Sequence, residues 1–430
     1  MTTIFDAFIA FLMAALLNGF LAGRLRRSFS PEEGRMLTRV FALAVALRYI
    51  GAVAVNVYAS ESRTFADLYW GDSFTYDQGG YALAQNWAGE GFTGGPIGVS
   101  GYGFQYFVGV LYYFFGRNQL LVQFINGTIG ASAGLVIYVI ARNLFNRGAA
   151  RWAFLFMSFF PQMIFWSCAM YKDPSILLCI ALCMLAVLRL RDRFSPGNLL
   201  LFMAASIYLL TLRFYVFYMV AFAALGTFLF AQRRGLFGSL VAQLVLVAAF
   251  LGALAFGVRR ETLEEQSAYF DLEKLQTARM GQIQQGRSGY GGEINVTTRS
   301  GVLAALPVGL VYLLFAPFPW SISGVRQLLT LPETLVWYSL MPSLVRGLVH
   351  LMRTRFRAVL PIVVFAATLT TAYAIFQTNV GTAYRQRTQV TMFFFIFMGV
   401  GLELKREQRL RRAQRGGPRP YPPAARPAWR

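Results

Sequence analysis

Of the 430 residues, 56% are hydrophobic and 14% charged, and mean hydropathy is +0.49; a soluble globule, with roughly a quarter of its residues charged, is excluded. The net charge of +21 does not mark a nucleic-acid surface, because the arginines fall in short clusters between apolar runs: Arg24, Arg26 and Arg27; Arg142, Arg147 and Arg151; Arg189, Arg191 and Arg193; Arg233 and Arg234; Arg353, Arg355 and Arg357. Such clusters mark the inner loops of a polytopic membrane protein, so most of the charge encodes topology.

A spanning helix needs about 20 apolar residues. Runs that qualify, or nearly so, lie at 3–24, 36–58, 119–141, 149–170, 175–190, 198–212, 214–232, 236–258, 329–350, 358–378 and 388–404. The fold expected is therefore all-α, a polytopic transmembrane helical bundle of about eleven spans. In the first run the charges follow the apolar stretch instead of preceding it, which favours a retained helix over a signal peptide. With the loop after Arg24 on the cytoplasmic side, the basic clusters alternate consistently. Segments 59–118, 171–174, the neighbourhood of Arg213, 259–328 and 379–387 then share the outer face. The apolar stretches 101–116 and 301–317 would break this parity, and are read as outer-face interfacial helices, in keeping with their Tyr, Phe, Gly and Pro content.

Four regions follow. Residues 1–35 supply an N-terminal helix and an inner loop, and 36–235 a membrane core with the large outer loop 59–118. Residues 236–404 form a C-terminal membrane region with the outer segment 259–328. The tail 405–430 is basic and Pro-rich, and is expected to be disordered and to lie against anionic lipid headgroups.

The 3 cysteines, Cys168, Cys179 and Cys183, have neither metal-ligand spacing nor a disulfide framework. The only histidine, His350, belongs to the inner side. A general base on the outer face is therefore expected to be a carboxylate. Two stretches supply one. "GDSFTYDQGGYALAQNW" carries Asp72 at the start of a helix expected from about Ser73 to Trp87, where its ordinary role would be a cap. Asp77 lies five residues on, about 140° around the helix, and so faces elsewhere; Tyr76, Asp77 and Tyr81 are substrate-binding candidates. "MYKDPSILL" carries Lys172 and Asp173 in a short outer turn, with Pro174 starting the next helix. A cap would explain Asp173 but not the cation beside it.

Arginine on the outer face runs against the positive-inside rule and calls for its own explanation. Arg213, in "TLRFYVFYM", and Arg385 and Arg387, in "NVGTAYRQRTQV" beside Tyr384, suit phosphate oxygens through their forked donors; snorkelling to headgroups is the competing account. Arg48 sits midway along 36–58, and an intramembrane charge calls for a partner inside the bundle.

In their order these features resemble the GT-C class of integral-membrane glycosyltransferases, which includes aminoarabinose transferases, protein O-mannosyltransferases and oligosaccharyltransferases. The resemblance rests on Asp72-Ser73-Phe74-Thr75-Tyr76 in the first large outer loop, on an aromatic stretch ending in Phe115-Gly116, on Asp173-Pro174 in a short outer turn, and on the late Tyr384-Arg385-Gln386-Arg387. It is clearest over 36–235. Two departures stand out: the extra helix at 3–24, and Ser73 where an acid often follows the first aspartate.

The resemblance implies transfer of a sugar from a polyprenyl-phosphate or polyprenyl-pyrophosphate donor to a glycan, lipid or protein acceptor on the outer face, in a bacterial plasma membrane. Asp72 would be the base of an inverting reaction, with Asp173 as the second catalytic carboxylate, positioning Lys172, a hydroxyl or a shared ion. Lys172, Arg213, Arg385 and Arg387 would hold the leaving phosphate, and a divalent cation shared by Asp72 and Asp173 stays open. Two alternatives stand beside it, an O-antigen polymerase or ligase and a lipid-linked saccharide transporter. Neither nucleic acid nor a His-based metal centre is expected.

Overall fold

A computed structural model describes residues 4–59, 71–90, 101–229, 271–285, 288–322 and 325–415. Among these the regular elements are helical: α1 Ile4–Ser28, α2 Pro31–Ala54 continued by a π-helical turn Val55–Ala59, α3 Asp72–Trp87, α4 Tyr102–Phe115, α5 Gln119–Leu144, α6 Arg147–Phe159, α7 Pro161–Phe165, α8 Asp173–Asp192, α9 Pro196–Leu212, α10 Phe214–Leu229, α11 Leu272–Gln285, α12 Arg299–Phe315, α13 Val325–Thr354, α14 Phe356–Phe376 and α15 Val380–Arg415. The chain is an all-α polytopic membrane bundle. Among the described residues 7 helices are long and apolar enough to cross a bilayer, and α9, α10 and α12 are shorter apolar helices. The eleven expected spans are thus only partly matched. The stretch 236–258 lies outside the described residues, as do 416–430.

One expected span is broken. The run at 149–170 divides into α6 and the single turn α7, because Pro161 supplies no amide to continue the ladder and holds Phe160 extended at φ −65°, ψ 124°. The break frees carbonyls at the end of α6, and these are what Arg48 meets. Arg48, 1% exposed, donates to the carbonyls of Ser158 at 3.0 Å and Met157 at 3.2 Å, to Ala44 of its own helix at 2.9 Å and to Ser167 Oγ at 3.0 Å. The buried arginine thereby satisfies a helix end that has no water to turn to.

Residues α5, α8 and α15 form the interior of the bundle, whereas α1 is peripheral, with Phe5, Phe8, Leu12, Leu16 and Phe20 exposed. The two ends of the bundle are chemically distinct. At one end buried Glu33 takes Arg142 at 3.2 Å and Arg147 at 3.4 Å, Arg191 donates to the Arg357 carbonyl at 2.9 Å, and Arg355 to that of Asn143 at 3.4 Å. Residue 191 and Asp173 are separated by 18 residues of α8, about 27 Å along the axis. Asp173 therefore belongs to the opposite end, where α3 and α4 pack side by side. The pair is close because Gly79 and Gly80 face Gln105 and Val108, with no room for a Cβ. Each of the two helices is about 21–24 Å long, short of the roughly 30 Å apolar layer.

The tail expectation is corrected in part. Residues 405–415 continue α15 as helix instead of leaving the bundle as disordered chain, since "KREQRLRRAQR" contains no proline or glycine and is made of good helix formers.

Candidate active site

The N-terminal ends of α3, α8 and α15 meet at Arg385. Its Nη1 donates to Asp72 Oδ2 at 2.6 Å, while Nε and Nη2 donate to Asp173 Oδ2 at 2.8 and 2.6 Å. Gly71 and Lys172 hold the N-cap positions, so Asp72 and Asp173 are the first helical residues, and both carboxylates turn to the guanidinium.

The cluster is graded in exposure. The Asp72 side chain is 51% exposed, Arg385 16% and Asp173 1%. Asp173 is also approached from behind by Arg213 Nη2 at 3.6 Å. Arg213 occupies the non-helical residue between α9 and α10, as its position between two short apolar halves suggests. The guanidinium of Arg385 lies over the rings of Tyr171 at 4.2 Å and Trp166 at 5.3 Å. These rings restrict it to one plane, and cation–π attraction adds to the hold.

Lys172 is buried, with Nζ 5.9 Å from the Tyr76 ring centroid and close against Gly101. Gly101 has φ +83°, a conformation that disfavours a side chain, and a Cβ there would meet Lys172. Burial, assisted by the neighbouring Arg213, lowers the Lys172 pKa to about 7. The Tyr76 phenol is pushed up by its own burial, with Asp72 adding to the shift.

Asp72, Tyr76, Lys172, Asp173, Arg213 and Arg385 are thus brought together, and four other candidates are not part of their contacts. Asp77 is tied to Tyr112, whose hydroxyl donates at 2.6 Å, and to Arg117, whose guanidinium lies over the Tyr81 ring at 4.6 Å. These bonds make Asp77 and Tyr81 part of the α3–α4 packing. Arg387, expected to hold the leaving phosphate, is buried; its Nη1 donates to the carbonyls of Leu314 at 3.1 Å and Ala316 at 3.2 Å, and its guanidinium lies near the rings of Trp337 and Tyr384. It closes the C-terminal end of α12, where cations are favoured. The stretch "APFPWS" at 316–321 gains a role from this contact, as the seat of that cap.

Trp166, Tyr171 and Glu333 were not among the expected site residues. The short spacing of Trp166 and Tyr171 to Asp173 was the available signal. Glu333 had none, because it sits at the margin of an expected span.

The donor set does not fit a divalent cation. Asp72 and Asp173 already share Arg385, and Lys172 and Arg213 add positive charge that opposes a second cation. Among the described residues no group of three or more His, Cys, Asp and Glu side chains could hold one. Three cations facing two carboxylates suit an incoming anion better. A void of about 10 Å³, room for about one water, lies behind Asp173, lined by Gln162, Trp166, Ser167 and Thr388. It is too small for a sugar, and Asp72 is the exposed member of the cluster.

Residues 100–257 match a protein-family model described as dolichyl-phosphate-mannose-protein mannosyltransferase. This match supports the GT-C resemblance and a membrane glycosyltransferase. The chain is also similar to two solved structures from Archaeoglobus fulgidus. One is an oligosaccharyltransferase in the apo form, at 15% identity and a TM-score of 0.46, with 87% of this chain and 52% of that chain covered. The other is the oligosaccharyltransferase AglB in complex with an inhibitory peptide and a dolichol-phosphate, at 13% identity and a TM-score of 0.46, with 88% and 52% covered. The chain spans about half the length of both. No curated protein matches it.

Proposed function

We propose that this chain transfers a sugar from a polyprenyl-phosphate or polyprenyl-pyrophosphate carrier to an acceptor hydroxyl at the outer face of a bacterial plasma membrane, with inversion at the anomeric carbon. The observation that carries the reading is the Asp72–Arg385–Asp173 bridge, in which one arginine joins an exposed carboxylate to a buried one. Asp173 anchors Arg385 through two of its nitrogens, leaving Nη1 to Asp72 alone. A phosphate arriving at the site competes for that nitrogen edge and displaces Asp72. The released carboxylate then accepts the acceptor's proton while the hydroxyl oxygen bonds to the anomeric carbon and the carbon–oxygen bond to phosphate breaks. The phosphate leaves with the bonding electrons. Arg385 and Lys172 stabilise the charge it gains, in a setting where preorganised donors cost no reorganisation, and Arg213 holds Asp173 in place from behind.

The family match over 100–257 supports a lipid-phosphate donor, and the excess of cations around Asp72 supports an anionic one. The reading is tested by reconstituting the purified protein in nanodiscs with a polyprenyl-phosphate sugar and a hydroxyl acceptor, and following free polyprenyl phosphate. Release that depends on acceptor and is lost in Asp72→Asn is expected. Acceptor-dependent release at the parental rate in Asp72→Asn would end the assignment of the base, and failure of Arg385→Ala to weaken polyprenyl-phosphate binding would end the donor site.

A further inference from the structure

Glu333 on α13 is a buried carboxylate, 4% exposed, that the chemistry above does not use. Its Oε2 accepts the backbone N–H of Gln162 at 2.8 Å, one of the amides left free where α7 starts after Pro161. The Tyr384 phenol lies beside the same carboxylate, with Arg387 the neighbouring cation. Gln162 closes the circuit, since its side-chain amide donates to the carbonyl of Tyr384. Three elements, α7, α13 and α15, are joined at this one carboxylate.

Two arms of the circuit reach the site. Four residues after Gln162 comes Trp166, whose ring lies 5.3 Å from the Arg385 guanidinium, and directly after Tyr384 comes Arg385 itself. Glu333 is costly where it sits. Apart from the Tyr384 phenol beside the carboxylate, its Oε1 has no hydrogen-bond partner among the described residues, and a buried carboxylate so sparsely partnered opposes folding. Stability is therefore a poor reason for a carboxylate here, and position is a better one.

We propose that Glu333 is a positioning residue for the phosphate subsite: by fixing the start of α7 against Tyr384, it holds Arg385 between Trp166 and the two aspartates. The inference rests on the donor-binding role proposed for Arg385.

The test measures the dissociation constant of polyprenyl phosphate in nanodiscs, together with thermal unfolding, kcat and KM, for the parental protein and for Glu333→Ala, Glu333→Gln, Tyr384→Phe and Arg385→Ala. Glutamine keeps an acceptor for the Gln162 amide, and alanine does not. Glu333→Ala is expected to weaken binding and raise KM by roughly tenfold, inside the range that a misplacement of about 1 Å can produce, with a smaller fall in kcat. Glu333→Gln should stay close to parental, and Tyr384→Phe should shift KM in the same direction as alanine. A folded Glu333→Ala with parental affinity overturns the proposal, and so does a Glu333→Gln as impaired as Glu333→Ala. If Glu333→Ala does not fold, Tyr384→Phe decides, and its unchanged affinity overturns the proposal. Parental affinity in Arg385→Ala would instead bring down the donor reading itself, whereas weakened binding there beside an unaffected Glu333→Ala sinks the positioning role alone.

Discussion

Arg385 and Asp173 are joined through one carboxylate oxygen: Nε and Nη2 both donate to Oδ2, at 2.8 and 2.6 Å. The other oxygen, Oδ1, faces Arg213 at 3.6 Å. Asp173 is thus the common counter-ion of two arginines, and its loss would leave Arg213 buried without one. Removing one member of a buried ion pair typically costs about 3–5 kcal/mol. Asp173→Asn is expected to lower the thermal midpoint in detergent and to weaken polyprenyl-phosphate binding together. A variant that lost activity with an unchanged midpoint would give Asp173 a direct chemical role instead.

Asp72→Asn should behave differently, because half of the side chain is already in solvent. The midpoint should stay near parental while transfer falls on the order of 10²–10⁴-fold, the usual contribution of a positioned base. Asp77→Asn reverses the pattern. It removes the charge shared with Arg117 while leaving an amide oxygen to accept from the Tyr112 hydroxyl, for about 1–3 kcal/mol of stability, and kcat of the folded fraction should hold. Thermal unfolding beside single-turnover rates separates the two.

Much of this site was legible before any coordinates. The positive-inside pattern assigns Asp72, Asp173, Arg213 and Arg385 to one face, and the structure brings those four into a single cluster. What escaped the sequence is directional. Residues 380–387 read as a loop but form the first turns of α15, and two residues along a helix is about 200° of rotation. Arg385 and Arg387 therefore point to opposite sides, one to the aspartates and one to the end of α12. Arg48 could not be matched because its partners are mainly backbone carbonyls, which carry no sequence signature, freed by a break at Pro161 inside an unbroken apolar run.

Arg387→Ala is accordingly expected to be a stability variant. Each carbonyl left without a donor costs about 1–3 kcal/mol when buried, so the thermal midpoint should drop while the folded fraction binds polyprenyl phosphate with parental affinity. A large loss of affinity with an unchanged midpoint would restore Arg387 to the phosphate site.

Lys172 gives a pH signature. Burial lowers its pKa from 10.5 to about 7, with Arg213, Asp173, Arg385 and Asp72 as the charges around it and Tyr76 against it. Between those two values the unfolded chain binds more protons at this residue than the folded one, so this residue's contribution makes stability rise as pH increases from about 7 toward 10.5. Lys172→Met lacks the group, so the parental protein should gain stability relative to the variant across that window. A constant difference between the two unfolding curves would mean that Lys172 keeps its ordinary pKa.

Helix α15 runs for 36 residues without a break, about 54 Å of rod against an apolar layer of roughly 30 Å. Arg385 rides near one end, and the basic stretch from Lys405 to Arg415 emerges at the other. A rod of this kind answers a change in bilayer thickness by tilting, and here tilt would swing the guanidinium relative to the carboxylate on α8. Lipid chain length should therefore act on this protein as a mechanical input, tuning how tightly the phosphate is gripped without touching it.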